Sequence, residues 1–420
     1  MKKPSSRPFL MRRSENMAKL GMPSISITFK EKGIESIERS KRGIVALVLE
    51  VEPALYAKLF TEHEYEGETV APLSVPEVAY TTDDIPAELD ATNKDYITKC
   101  LLGYQKTPYR VKLYFQEKKL DKTIPGEEGG EHTTITAEEQ NAAADKFAPT
   151  LNILAADRWD YLAIPTIRTE QLESVGAWLK ANRENKYKRS KVVLPGCNGD
   201  YEGIINFANT KIATATKEYT PAEYTARIAG LIAGTPMTIS ATYAPLPEVI
   251  DCDKHTLDEN DEKVNRGEFF IWWDGEKFKM SRAMNSLVTT TQDKGEGYQT
   301  IKIVDIMDMM YDDIKKTAQD SYIGKYTNDY DNKCLLITAI QGYFQELENG
   351  RLLQKRYSQI DIDVEAVKTY QLKHGLYTKE ELANMSDQEI KELDTKKKVF
   401  LTAKVKILDA MEDIELPIAI

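Results

Sequence analysis

Histidine, cysteine and serine would have to carry catalysis in this chain, and their placement argues against it. The four histidines are His63, His132, His255 and His374. A serine hydrolase brings a serine, a histidine base and an orienting carboxylate together. Between Asn93 and Val249 there is one histidine, His132, in a polar glycine-rich stretch that is a poor place to hold a base. No GxSxG occurs. Neither GxxxxGKS/T nor a GxGxxG after a strand is present to cradle a phosphate. In DCDKHTLDENDE, Asp251, Asp253 and Glu262 fall at positions 1, 3 and 12 of a calcium-loop pattern. Thr256 holds position 6, where the sharp turn wants glycine, and His255 is a poor hard-cation ligand at position 5. That stretch therefore reads as a solvated acidic linker. His63 and His374 have no metal-ligand spacing with any partner. Cys100, Cys197, Cys252 and Cys334 form no CxxC pair, which leaves neither a zinc site nor a disulfide framework and reads as reduced thiols. Met307, Met309 and Met310 read as core. Trp272 and Trp273 sit on a hairpin, where one ring usually faces the core and an interface is the other use. The expectation is no catalytic residue, no metal and no cofactor.

The elements around these residues point to a scaffold. A chain of 420 residues is long enough for roughly two to four domains. Apolar content is 41%, which fits a folded globular protein. The net charge of −11 argues against nucleic acid as the main partner, since phosphate binding needs a basic surface. No apolar run is long enough to cross a bilayer. The opening MKKPSSRPFLMRRSEN is basic and Pro/Ser-rich, lacks a signal-peptide apolar run, and reads as a disordered leader over 1–16 or an upstream start, with the functional chain beginning near Met17 or Met22.

In MPSISITFK, Ile25, Ile27 and Phe29 alternate with polar residues, so a strand with one apolar face is expected over 17–34. It can join the sheet of its own chain or be an arm given to a neighbour, because a lone strand needs a sheet edge. GIVALVLEV, followed by prolines and strand-like pieces, reads as a small all-β domain over 35–92. Asn93 is placed as the N-cap of KDYITKCLLGYQ. Strand RVKLYF, a polar insertion near 116–140, and then alternating helical and strand segments argue for an α/β sheet with packed helices over 93–250. Thr220, Pro221 and Glu223 make a strong helix start. Val249 to Glu262 is expected to be a linker, and Asp274-Gly275 between apolar runs is a hairpin turn. Ile301 and Ile303 alternate with Lys302 and Val304, predicting a short strand before a helix from Ile306, and a second helix from Leu335 closes at Gly350. Asp363, Thr378 with Glu381, and Ser386 with Glu389 mark three further helix starts. VFLTAKVKIL is β-rich. In the last segment, 409–420, Ile414, Leu416 and Ile418 alternate with Glu415, Pro417 and Ala419, and Pro417 suits an edge strand. Both ends of the chain thus read as amphipathic strands.

RAMNSL, KIVDIMDMMYDDIK, YIGKYTNDYDNK and AIQGYFQELENGRLL, in that order, resemble the C-terminal domain of contractile phage tail sheath proteins. DVEAVKTYQL and KVFLTAKVKILDAMEDIELPI continue the pattern. Upstream, YLAIP, EGIINFANT, TPAEYTARIAGLIAGTP and SATYAPLPEV are similar to the preceding domain of the same family. The resemblance implies an α/β and α+β multidomain fold. Its parts would be a β-sandwich over 35–92 like that of Gram-positive phage sheaths, an α/β subtilisin-like domain over 93–250 and an α+β C-terminal domain over 251–408. Subtilisin-like describes topology and carries no protease claim.

The function implied is a structural subunit that polymerises helically around a tail tube and contracts. Its partners would be itself, the tube, the baseplate and the tail terminator, with no nucleic acid and no membrane insertion. Such a particle, phage or bacteriocin, would be assembled in the host cytoplasm. Interface residues would be Ile25, Ile27 and Phe29 in one arm and Ile414, Leu416 and Ile418 in the other. The alternatives are a static virion component (tube, baseplate or capsid) and a hydrolase on the α/β domain.

Overall fold

In a computed structural model of the chain, residues 37, 39–65, 68–70, 72–73, 75–124 and 133–419 are described. A seven-stranded sheet organises them. Its strands are β1 (Ile44–Val51), β2 (Glu77–Ala79), β3 (Arg110–Glu117), β4 (Tyr161–Ala163), β5 (Lys191–Pro195), β6 (Ile204–Phe207) and β7 (Glu268–Phe269). They lie in the order β7-β6-β5-β4-β1-β3-β2. All neighbouring pairs are parallel except β2 with β3.

This order corrects the expected β-sandwich over 35–92. GIVALVLEV is the central strand of the large sheet, pairing from Ile44↔Arg110 to Val51↔Glu117 on one side and with Tyr161–Ala163 on the other. An unbroken apolar run is what a parallel strand covered on both faces requires. Val45, Leu47 and Leu49 pack on one face with α1 (Ala91–Leu101) and α3 (Pro221–Ala233). Ile44, Ala46 and Val48 pack on the other with α2 (Thr169–Asn185) and Leu151 and Leu154. Full burial of each large side chain contributes about 1.5–3 kcal/mol. The sheet also takes in β7, beyond the expected boundary at 250.

Several local expectations hold. Thr220 and Glu223 form a capping box with Pro221 in the first turn of α3. Asp363 caps Val364–Lys373, and the Thr378 and Ser386 boxes both form. The Asp274-Gly275 hairpin pairs Ile271–Trp273 with Phe278–Met280, with Gly275 at φ +102°. Others are corrected. Asp90, not Asn93, caps α1; Asn93 reaches back to Asp90 and to the Glu50 carbonyl. The expected linker from Val249 contains a strand, Val249–Cys252, and helix α4 (Leu257–Asn265). Thr256, the sixth residue of the calcium-loop pattern, is the N-cap of that helix, boxed with Glu259. Within the insertion near 116–140, Lys122–Ile124 pairs with Thr133–Ile135.

Ile301 and Ile303 are not a strand. They open α5 (Ile301–Thr317), where Ile301, Lys302, Ile303 and Val304 are all buried. This helix start is buried on all sides, and alternation over four residues cannot separate that from a strand. Helix α6 (Tyr330–Asn349), ended by Gly350, packs on α5 through Met309, Ile340, Tyr343, Phe344 and Leu347. Beside this core lies a two-stranded antiparallel sheet, β8 (Gln359–Ile362) with β9 (Leu401–Lys404).

Candidate interdomain joint and assembly surfaces

Helix α5 carries aspartates at 305, 308 and 312, spaced i, i+3 and i+7, so they share one face. That face meets the amino ends of β1, β4 and β5. Asp308 is 3% exposed and accepts from Arg183 Nη1 and Nη2 at 3.0 and 3.1 Å and from Lys191 Nζ at 2.6 Å. Lys191, the first residue of β5, also pairs with Asp305 at 2.7 Å. Arg42, just ahead of β1, donates to the Asp308 carbonyl and to Asp312 Oδ2, both at 2.8 Å, and to Asp160 Oδ1 at 2.8 Å. The other oxygen of Asp160 takes the backbone N–H groups of Gly43 and Ile44 at 2.8 and 2.9 Å. Beside it, Asp313 accepts from the Ser40 backbone at 3.0 Å and from the Tyr343 hydroxyl at 2.8 Å.

Buried charges persist only when paired and hydrogen-bonded. Burial alone would raise the Asp308 carboxyl; Lys191 and Arg183 outweigh it and hold it below its ordinary range. Burial would likewise lower Lys191, and Asp305 and Asp308 raise it instead. Asp312 goes the other way: burial, with Asp308 and Asp160 nearby, outweighs Arg42 and raises it.

A cavity of about 670 Å3 opens at this joint, lined by Arg42, Lys106, Asp160, Lys191, Asp305 and Met309 among others. It lies at the amino ends of the strands. Ligand sites of open α/β sheets lie outside the carboxyl ends, whereas this cavity lies in the seam between the layers, beside the ion pairs. Among the described residues no group of three or more His, Cys, Asp or Glu is arranged to hold a metal ion, and no helix is long and apolar enough to cross a membrane.

Of the expected interface residues, Ile25, Ile27 and Phe29 lie outside the described residues. The last segment leaves β9, passes Leu353 through an isolated bridge with Ile407, and donates from Leu408 N to the Leu352 carbonyl at 2.9 Å. Its root is then tied down. Thr242 Oγ1 donates to Glu412 Oε1 at 2.6 Å, and Arg282 pairs with Glu412 at 3.4 Å and with Asp413. Beyond that point Ile414, Leu416 and Ile418 are 83, 74 and 76% exposed and form no strand with the rest of the described chain. β8 and β9 pair only with each other, so the outer edge of each has no strand partner among the described residues.

The aspartate face of α5 and its cationic partners were not singled out in the sequence. The available signal was aspartates at helical spacing among the apolar residues of IVDIMDMM and the YDD that follows, and a lysine opening the buried run VVLP.

A model of the phage tail sheath protein central domain matches residues 133–286, and one of the phage tail sheath C-terminal domain matches 293–420. The tail sheath protein of Clostridium phage phiCD119 is 34% identical over 396 residues, covering 94% of this chain and 98% of the relative. Among solved structures, the sheath tail protein of Desulfitobacterium hafniense is similar at a TM-score of 0.60 with 16% identity, covering 81% of this chain and 94% of that one. The helical sheath of the anti-feeding prophage in its contracted state is similar at 0.59 with 15% identity, covering 95% and 99%. With two domain models in sequence and one relative matched end to end, the chain belongs to the phage tail sheath protein family.

Proposed function

We propose that this chain is the structural subunit of a contractile tail sheath. It polymerises helically around a tail tube and drives the tube through a bacterial envelope when the lattice contracts. The parallel sheet with helices on both faces is the subtilisin-like layer of such a subunit, used as a rigid block. Partners are other copies of the chain, the tube protein, and the baseplate and terminator that bound the tail. The particle, phage or bacteriocin, is assembled in the host cytoplasm.

The observation that carries this reading is the pairing of supply and demand for strands. A tail with apolar residues at 414, 416 and 418 leaves the body exposed, while the outer edges of β8 and β9 have no strand partner among the described residues. Exposed edges are templates for strand addition, and an amphipathic segment from another copy satisfies both needs. The first arm, through Ile25, Ile27 and Phe29, is assigned the same role. A contact of this head-to-tail kind, where its rotation does not close a ring, propagates a helix.

The test is removal of the residues after Asp409. The truncated chain should keep its far-UV circular dichroism and remain monomeric, while the full chain forms hollow tubes in negative stain over a concentration series, alone or on preformed tail tubes. Tubes of ordinary length from the truncation would refute the role of the arm.

A further inference from the structure

A second groove, about 290 Å3, lies at the amino ends of β4 and β5. Arg158, Lys188, Arg189, Lys315 and Lys316 line it, on a chain whose net charge is −11. The two carboxylates in the groove are already engaged, Asp157 with Lys112 at 2.6 Å and Asp312 with Arg42 at 2.8 Å. None of the five cations forms an ion pair among the described residues. Lys188 Nζ donates to the Asp157 carbonyl at 3.0 Å; burial, with Lys186 and Lys315 nearby, outweighs the attraction of Asp157 and lowers its ammonium. The Arg189 guanidinium stacks 4.4 Å above the Tyr311 ring, which fixes it facing the groove wall. Tyr187 stands at the rim, 57% exposed and at φ +54°, a backbone conformation that is rare outside glycine.

The opposite charge sits at the other end of the sheet. Helix α4 is held to the carboxyl end of β6: Lys263 donates to the Ala208 carbonyl at 3.2 Å, and Asp253, just before the helix, accepts from Thr210 N at 2.5 Å. Its outer face presents Asp258, Asp261 and Glu262, with Leu257 72% exposed at its first position. Asp258 and Asp261 form no ion pair among the described residues.

We infer that the basic groove receives helix α4 of a second copy of this chain, with Leu257 against Tyr187 and the helix carboxylates facing Lys188, Lys315 and Lys316. Copies that each carry −11 repel unless a cationic patch of one meets an anionic patch of the next. The two surfaces lie at opposite ends of the strands, so the contact is heterologous and can repeat from copy to copy. The inference rests on the sheath reading, in which copies of this chain lie side by side in a lattice.

The test is zero-length carbodiimide coupling of a concentrated equal mixture of 14N- and 15N-labelled full-length chain, read by mass spectrometry. Amide links between Asp258, Asp261 or Glu262 of one isotope and Lys188, Lys315 or Lys316 of the other are expected, with a yield that falls in 0.5 M salt. The paired variants Lys315→Glu/Lys316→Glu and Asp258→Lys/Asp261→Lys should each lose association of the bodies by tenfold or more, and mixing the two should restore it. Mixed-isotope links that join other surfaces and omit these, or a mixture of the two variants that fails to recover, overturns the inference. Absence of tubes bears on the sheath reading alone, since the coupling is read on chains in solution.

Discussion

Replacing Asp308 by alanine is the sharpest probe of the joint between the sheet and α5. The carboxylate is fully enclosed and takes three charged hydrogen bonds, two from Arg183 and one from Lys191. Removing one partner of a buried ion pair costs about 3–5 kcal/mol, because the other charge is left behind in the interior. Here the stranded cations are not wholly alone. Lys191 keeps Asp305 at 2.7 Å, Arg183 keeps Glu202 at 3.8 Å, and the Ser190 carbonyl stays at 3.0 Å. The expected loss is therefore in the lower half of that range, about 3–4 kcal/mol. Urea unfolding at neutral pH, followed by the fluorescence of Trp159 and Trp178, which stack 6.1 Å apart in the α/β layer, reads it. A loss under about 1 kcal/mol, the range of a surface pair, would refute a buried joint. Replacing Arg183 and Lys191 by methionine together with Asp308 by leucine should return most of the loss, since a well-packed apolar set can match a buried ionic one. Acid gives the sign check. The folded Asp308 carboxyl is held below its unfolded value of about 3.9. Its stabilisation is thus complete above that value and is lost as pH falls through the folded one, so wild-type and variant stabilities converge in acid.

Asp312→Asn should cost much less than Asp308→Ala, within about 1 kcal/mol at pH 7, because the Asp312 carboxyl is raised in the fold and the amide oxygen can still accept from Arg42. Its sign is opposite: a raised carboxyl binds its proton more tightly folded than unfolded, so that part of the stability grows as pH falls through the folded value. Gly230→Ala should destabilise by about 3 kcal/mol or more in the same urea assay, because the added Cβ would lie 1.9 Å from the Cys100 carbonyl oxygen and must push α3 off α1. A variant as stable as wild type would mean that these helices do not approach so closely.

Local chemistry was the legible part. Thr220 with Glu223, Asp363, Thr378 and Ser386 each declared a helix start, because a cap is decided by a few adjacent residues. What failed needed knowledge of neighbours far along the chain. GIVALVLEV is β whichever sheet it joins, and only β4 and β3 on its two sides make it central rather than part of a sandwich. Ile301 and Ile303 look like a strand in isolation and are helical because both sides of α5 are buried. The ion-pair joint was illegible for the same reason: Arg42, Arg183, Lys191 and Asp308 are up to 266 residues apart, and each alone reads as a surface charge. The last arm was legible as an alternating segment, while its clamp by Thr242 and Arg282 was not.

The position of that joint also bears on how the α/β layer would act as a rigid block in the proposed sheath. At the amino ends of β1, β4 and β5, Arg42 and Lys191 bind α5 and Asp160 holds Arg42, so the α/β layer and the C-terminal layer share one buried electrostatic seam. The core of α5 and α6 extends to Ile360 in β8 and Leu401 in β9. In the proposed lattice, a pull on an arm added to β8 or β9 would pass through that core into α5 and across the seam to the sheet. Breaking the seam requires separating paired charges in a low-dielectric interior, which is far costlier than bending an exposed tail whose root is held by Arg282 at the surface. In the proposed sheath the segment beyond Asp413 is therefore expected to yield first under load, with the body turning as a unit.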